Sequence, residues 1–309
     1  MKLLIVDGSN IVMRASFGGK IDPAQSTPTA MGMIDRAYRD LEATHLVIVF
    51  DCPDFPTWRK KLYPEYKAHR ETDTRPWIDA ALRDWDRSKQ WIEVAAGFEA
   101  DDIIATIAEH AKQMCEVLVL SSDSDLFQIS CPEVCVCRPV NGGGVSAMTE
   151  DMICERYGIG YPELIVDFKA LTGEDGDNVP GVEGIGAVKA AQLLKAYGTL
   201  EDVIKAGQSK SCKGSTKVAE AAETARLAHR LISLDKAAPV VNLLLKLFCL
   251  SENFKLAQDQ YPMTLPEQRE YIYTFQERLG ILGADRNPTD DQIIIAKLDA
   301  QAVIEKMRL

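Results

Sequence analysis

No stretch of the 309-residue chain comes near the roughly 20 consecutive apolar residues that cross a bilayer, and the opening MKLLIVDGSN meets an aspartate too early for a signal peptide. A cytoplasmic protein is the expectation. Positive charge is also short: 35 Lys and Arg against 46 Asp and Glu leave a net charge of −11. That balance excludes binding of nucleic acid through bulk positive charge, so such a partner must be held by local basic patches or through metal ions that neutralise the acid. Paired cysteines are missing too. The eight thiols (Cys52, Cys115, Cys131, Cys135, Cys137, Cys154, Cys212 and Cys249) are scattered, and CPEVCVC lacks the two-residue spacing of a zinc ribbon, so they read as reduced and mostly buried.

What is present, 46% hydrophobic and 26% charged residues, suits one large domain or two modest ones. LLIVD (3–7), HLVIVFD (45–51) and VLVLSSD (117–123) are short, β-branched-rich apolar runs, the pattern of buried parallel strands, and each stops at an aspartate. Between them lie helix-like segments, one from Pro28 and one from Glu99 in which Ile103, Ile104, Ile107, Ala108 and Ala111 make one apolar face. This alternation predicts an α/β domain with a parallel sheet. After VCVCRP (134–139) and NGGGV the pattern turns helical (TEDMICERYG, PELIVDFKALTG, AVKAAQLLKAYG, TLEDVIKAG, ETARLAHRLISL), which puts a boundary near 150 and a helical region over 151–309. SKSCKGSTK (209–217) reads as a mobile loop, and the amphipathic stretch after Gly283 has no assignable chemistry.

Open α/β sheets bind ligands at the carboxyl ends of their strands, where Asp7, Asp51 and Asp123 would meet. Taken singly, each reads first as a helix cap or turn former. Asp125 follows in DSD, and Glu99, Asp101 and Asp102 open a helix beside the same rim, where acids also suit the helix dipole. Seven carboxylates on one edge would repel one another unless cations sit among them, and all-oxygen ligation suits a hard ion such as Mg²⁺ or Mn²⁺. Two ions about 4 Å apart can hold a scissile phosphate, activate water and stabilise the leaving oxygen, so phosphodiester hydrolysis is the natural reaction class.

Just after Asp51, WRKKLYPEYKAHR (58–70) mixes Arg59, Lys60, Lys61, Lys67 and Arg70 with Trp58, Tyr63 and Tyr66, a composition that can pair with phosphates and stack on bases. The alternative is a solvated helix face with its aromatics tucked inward. Lys67 and Arg70 are three apart, would share a helix face and could steady charge developing on the scissile phosphate. In PGVEGIGAVKAAQLLKAYG, Gly181, Gly184 and Gly186 permit a tight turn into a helix whose free N–H groups, with Lys189, could meet a phosphate. A plain interhelix turn remains the alternative, while a dinucleotide fingerprint is disfavoured because the preceding FKALTG looks helical.

The order IVDGSN, TPT, VFD, YPEYKAHR, EADD, SSDSDL, TGEDGDNVPGVEGIG and LEDV, from about residue 3 to residue 235, resembles the 5′-nuclease or flap endonuclease superfamily. It stands close to bacterial and phage 5′-3′ exonucleases and to the 5′-nuclease domain of bacterial DNA polymerase I. The resemblance implies an α/β, PIN-like parallel-sheet nuclease core over 1–150, with a helical arch at about 53–87 and a DNA-binding helix-three-turn-helix at about 163–197. It implies a two-metal enzyme that cleaves DNA near 5′ ends and at flaps, with Asp7, Asp51, Glu99, Asp101, Asp102 and Asp123 around the first ion and Asp125, Glu174 and Asp177 around the second. Lys67 and Arg70 fall on the YKAxR arch motif that contacts the reacting phosphate. Arg14, Tyr66, Gly184, Gly186 and Lys189 match DNA-facing positions, and the carbonyls of Gly181, Val182 and Ile185 match those that hold a monovalent cation such as K⁺.

Three departures stand out. The usual GDxSDN appears as Gly173-Glu174-Asp175-Gly176-Asp177-Asn178, so Glu174 must replace an aspartate or Asp175 must shift in. GDKDL appears as Ser122-Asp123-Ser124-Asp125-Leu126, which removes a basic residue between two ligands, and the lysine after the glycine turn moves one position to Lys189, a rotation of about 100° on a helix. The expected protein is a stand-alone, monomeric nuclease of replication or repair acting on DNA with 5′ flaps, nicks or 5′ ends, RNA-primed ends included. A non-catalytic branched-DNA binder on the same fold is the alternative from another class, and an RNA-cleaving PIN enzyme, which has no need of the glycine turn, is a third.

Overall fold

Strand β1 (Lys2–Asp7) is buried from Leu3 onward because it lies in the middle of a sheet, with neighbours on both edges and helices on both faces. The computed structural model describes residues 1–70, 72–85, 91–140, 143–210 and 212–240, all within one unit, Met1–Val240. The expected amphipathic stretch after Gly283, Cys249 and the part of the helical region beyond 240 lie outside the described residues, as do residues 71 and 86–87 of the expected arch.

Around β1 stand β2 (His45–Phe50), β3 (Trp91–Val94), β4 (Glu116–Leu120), β5 (Val134–Pro139) and β6 (Val145–Met148) in the order β3-β2-β1-β4-β5-β6. Ile5 registers with Val47 on one side and Val119 on the other; β1 to β5 are parallel and β6 is antiparallel to β5. Strand order reverses at β1, which opens a crevice at the carboxyl ends of β1 and β4. The three expected strands are β1, β2 and β4. Strand β3 was not expected: it is four residues, WIEV, with a glutamate inside, too short and too mixed to read as a strand.

Helices α1 (Gly8–Ala15), α2 (Pro23–Asp40), α3 (Trp58–Leu62), α4 (Arg75–Asp84) and α5 (Ala100–Ala111) complete the first half. Leu4, Val6, Ile48, Phe50, Leu118 and Leu120 bury one sheet face with Ile11, Val12, Ala30, Ile34, Ile78 and Trp85, while α5 packs on β1, β2 and β4. Helix α2 begins earlier than expected and runs through Pro28, because Asp22 caps it by accepting from the Ala24 amide (2.8 Å) and Pro23 occupies the tolerated first position.

The second half is α6 (Glu150–Tyr157), α7 (Ile165–Thr172), α8 (Ala187–Tyr197), α9 (Leu200–Gln208), α10 (Lys213–Glu220) and α11 (Ala222–Ile232). The expected loop 209–217 is corrected in part: its second half forms α10, where Cys212 and Ser215 cap the first turn and Val218 is fully buried. Polar, small residues concealed a cap and one apolar anchor.

Gly8, directly after Asp7, leaves no room for a side chain. A Cβ there would lie 2.7 Å from the Phe50 ring and 2.9 Å from Ile48 Cγ2. Gly8→Ala is expected to destabilise the protein by about 1–3 kcal/mol through this overpacking, read by urea unfolding.

Candidate active site

Asp7 ends β1, Asp51 follows β2 and Asp123 lies just past β4, so the sheet brings all three to its carboxyl edge. Asp7 is both a cap and a rim acid: Oδ1 accepts from the Asn10 amide (2.9 Å) at the start of α1, and Oδ2 accepts from Ser121 Oγ (2.7 Å). Ser121 Oγ also accepts from the Asp123 amide (3.0 Å), and Asn10 Oδ1 accepts from the Ser122 amide (3.0 Å), which ties β1 to the end of β4. Asp51 Oδ1 accepts from the Ala100 amide (2.8 Å), fixing it against the N-terminus of α5.

These acids feel one another. Burial, then Asp51 and Asp123, push Asp7 up to about 7. Burial, Asp123 and Asp7 push Asp101 well above the usual carboxylate range, against the pull of Lys67. Among the described residues no ion pair reaches Asp7, Asp51, Asp101 or Asp123. Four mutually repelling carboxylates with no protein cation of their own are a donor set suited to a hard divalent ion. They are not drawn into a closed cage of three or more ligands.

The remaining acids are neutralised from within. Lys169, on α7 and only 5% exposed, pairs with Asp125, donates to Ser124 Oγ (3.0 Å) and meets Glu174 Oε2 (2.8 Å). Burial raises Asp125 to about 6 despite that lysine. Glu174, not the exposed Asp175, is therefore the acid that joins Asp125. Lys169 also restores, from another helix, a positive charge beside Ser124.

Glu99 and Asp177 share a second set of partners. Tyr66 OH lies between both carboxylates, 2.9 Å from Glu99 Oε2 and 3.0 Å from Asp177 Oδ2, with one proton to share; Lys67 Nζ reaches Glu99 Oε1 (2.6 Å) and Asp177 Oδ2 (3.4 Å), and Arg70 pairs with Asp177. Burial alone would lower Lys67, but Glu99, Tyr66 and Asp177 together outweigh it and hold the ammonium charged; Lys67 and Arg59 likewise hold Glu99 below its usual range against burial. Two backbone clips reinforce this hook: the Lys67 amide donates to Asp177 O (2.9 Å) and Asn178 Nδ2 to Glu65 O (2.8 Å).

The geometry weighs against two expected roles. Tyr66, expected to face DNA, is 3% exposed with its hydroxyl spent on Glu99 and Asp177, so it is an internal strut. Asp102 is completely buried; Arg59 Nη1 and Nη2 grip its two oxygens at 2.7 and 2.8 Å, and Trp58 Nε1 (3.2 Å) and the Asp235 amide (2.8 Å) take what is left. With its lone pairs consumed, Asp102 points to a structural role and not to metal ligation.

The glycine turn lies between α7 and α8. Gly181 is required by close approach, since a Cβ would lie 2.4 Å from the Thr172 carbonyl carbon. Gly186 precedes the first turn of α8 without a side-chain cap hydrogen bond, and Lys189 Nζ bends back to Gly184 O (2.9 Å). Val182 O accepts from the Ile185 amide (3.0 Å), and Val182 and Ile185 anchor the turn by burying their side chains. Arg14 sits in the last turn of α1.

Two family models match the chain: the 5′-3′ exonuclease N-terminal resolvase-like domain over residues 2–158 and the 5′-3′ exonuclease C-terminal SAM fold over residues 161–252. The chain belongs to the 5′-3′ exonuclease family. Among relatives in this family, DNA polymerase I of Bacillus caldotenax is 34% identical over 254 residues, 77% of this chain but 28% of the polymerase. Flap endonuclease Xni of Shewanella oneidensis is 30% identical over 244 residues, 77% of this chain and 92% of that protein. Two structures from phage T5, a 5′-exonuclease with bound zinc and a flap endonuclease complexed with DNA and metal ions, superpose with TM-scores of 0.66 and 0.65 at 20% and 21% identity. They cover 80% and 76% of this chain and 97% and 90% of those chains, and show the family's fold.

Arg59 was read only as one of a basic run that could pair with phosphates, and Lys169 was missed as a site residue. One signal existed for Lys169: in IVDFKALT it is a lysine inside an apolar run, and every residue from Ile165 to Leu171 is buried.

Asp7 gives this family member a measurable pH signature. Its raised folded-state value means the native state holds the extra proton, so its contribution to stability is greatest below about pH 4 and is lost as pH rises towards 7. In EDTA, Asp7→Asn is expected to gain stability relative to the unsubstituted protein across that window, read by urea unfolding at several pH values; a constant difference would refute the assignment.

Proposed function

We propose that the protein is a divalent-metal-dependent 5′-3′ exonuclease and structure-specific flap endonuclease, hydrolysing DNA phosphodiesters near 5′ ends in replication or repair. The observation that carries this reading is the set of four rim carboxylates at the crevice that form no ion pair among the described residues, beside a hook that presents Lys67 and Arg70. Family membership and the flap endonucleases among the relatives support it. Asp7, Asp51, Asp101 and Asp123, with Glu99, would hold one ion, and Asp125, Glu174 and Asp177 a second. Mg²⁺ or Mn²⁺ bound there would supply an activated water and neutralise the leaving oxygen.

The chain's own groups do the rest. Lys67, kept charged at the acid cluster, and Arg70 beside it offer donors to the scissile phosphate. Tyr66 fixes the spacing of Glu99 and Asp177. The uncapped first turn of α8, Gly184, Gly186, Lys189 and Arg14 would contact phosphates of the duplex, and the carbonyls of Gly181, Val182 and Ile185 would take a K⁺ ion. The nuclease core would span 1–150, with the helix-three-turn-helix at about 163–197 in the helical region, in a cytoplasmic monomer that also accepts RNA-primed 5′ ends. Among the described residues no helix is long and apolar enough to cross a membrane.

One observation favours a second reading. Lys169 already neutralises Asp125 and Glu174, which would disfavour a second ion and leave a branched-DNA-binding protein without catalysis. Incubation with 5′-flap, nicked and blunt DNA in Mg²⁺ or Mn²⁺ decides: a ladder of short 5′ products is expected, and its absence supports the binder. Asp123→Ala is expected to abolish cleavage while flap binding in Ca²⁺ persists, and undiminished turnover in a clean preparation would sink the metal assignment.

The glycine turn makes a separate prediction. At matched ionic strength, duplex affinity should be higher in K⁺ than in Na⁺ or Li⁺; equal affinities would remove the monovalent cation from the turn.

A further inference from the structure

Of the five lysines and arginines between Trp58 and Arg70, Arg59 alone is fully buried, at 1% exposure. All three of its nitrogens are engaged. Nε donates to Leu231 O (2.7 Å), Nη2 to Ser233 O (3.0 Å) and Asp102 Oδ1 (2.8 Å), and Nη1 to Asp102 Oδ2 (2.7 Å), with Glu99 Oε2 at 3.0 Å. One guanidinium therefore joins three segments that are distant in sequence: α3 at the base of the hook, the start of α5 with Glu99, and the end of α11.

The end of α11 is zipped to the nuclease half beyond this one residue. The Asp235 amide donates to Asp102, the Ala238 amide to Thr106 Oγ1 (3.0 Å), and Gln128 exchanges hydrogen bonds with Ile232 O (3.2 Å) and the Leu234 amide (3.0 Å). The Arg230 guanidinium lies 4.3 Å from the centroid of the Trp58 ring, the same distance as that of Arg59. Helix α11 in turn packs on α7, which leads into the glycine turn. A buried ion pair adds little to stability compared with apolar packing of the same shape, but its planar, directional bonds hold a geometry. Here one arm of that geometry ends on Glu99.

We propose that Arg59 is a positioning residue that sets the Glu99 carboxylate from the end of α11, so that the grip of the helical half on duplex DNA and the alignment of acids at the cut are one coupled event. The proposal rests on the reading of the glycine turn as a duplex contact.

The test compares full-length unsubstituted protein, Arg59→Lys and Arg230→Gln by amide hydrogen exchange over residues 63–70 and 97–102, with and without 5′-flap DNA in Ca²⁺, and by single-turnover cleavage in Mg²⁺. Flap DNA should slow exchange in both segments of the unsubstituted protein. Arg59→Lys keeps the charge but loses the fork; it should still bind flap DNA, lose that protection and cleave about 10- to 100-fold more slowly. Arg230 is exposed, so Arg230→Gln should fold and show the same two changes in smaller measure, and it decides the matter if Arg59→Lys does not fold. Full DNA-induced protection with an undiminished rate in the folded variant overturns the proposal. Failure of the unsubstituted protein to bind flap DNA would overturn the duplex reading and this proposal with it. Binding without cleavage would overturn the nuclease reading alone and leave the exchange data to judge Arg59.

Discussion

Carboxylates cannot be crowded in a water-poor crevice without cations to balance them. Two unit charges 4 Å apart interact by about 4 kcal/mol at the effective dielectric typical near a protein surface. The parallel sheet creates this problem by delivering Asp7, Asp51 and Asp123 to one edge, and α5 adds Asp101. Much of the remaining architecture answers it. The starts of α1 and α5 aim amides at Asp7 and Asp51, Lys169 of the helical half pairs with Glu174 and crosses to Asp125, and the Tyr66 hook closes on Glu99 and Asp177. What stays uncompensated is the set suited to ions from outside.

The two halves of the chain are joined by sharing acids as well as by packing. Lys67 and Asn178, which face each other across the hook, both adopt left-handed backbone at φ 52° and 55°. Such conformations are held only where surrounding bonds over-determine them, as the reciprocal clips between 65–67 and 177–178 do here. Strain stored on both sides of one contact marks the hook as a place where geometry is set with care, and it places two cationic side chains beside acids from both halves.

Much of this was legible in the residues. Strands β1, β2 and β4 announced themselves as apolar runs ending in aspartate, and the acids of the rim could be named because parallel strands must end on a common edge. Resolution failed where neighbours in sequence point to different places. Asp101 and Asp102 are one residue apart, yet a helix turns about 100° between them, which sends one towards the rim and the other into the Arg59 fork. Arg59 and Lys60 differ in the same way, and five residues of α3 are too few to show a period. Tyr66 looked like a stacking platform because its hydroxyl partners, Glu99 and Asp177, lie 33 and 111 residues away. Strand β3 and helix α10 were hidden by being short and polar, their places decided by tertiary packing and caps.

The reach of Arg59 also orders events during synthesis. Its carbonyl partners, Leu231 and Ser233, are 172 and 174 residues downstream, so a growing chain makes the arginine long before it makes what the arginine binds. At the usual pace of translation that interval is on the order of 10 to 30 s. Until it ends, the fork lacks its two carbonyl partners, and the link from α3 to the end of α11 cannot form. A long-range bond of this kind delays the finished edge until both halves exist, a form of latency written into the chain's topology.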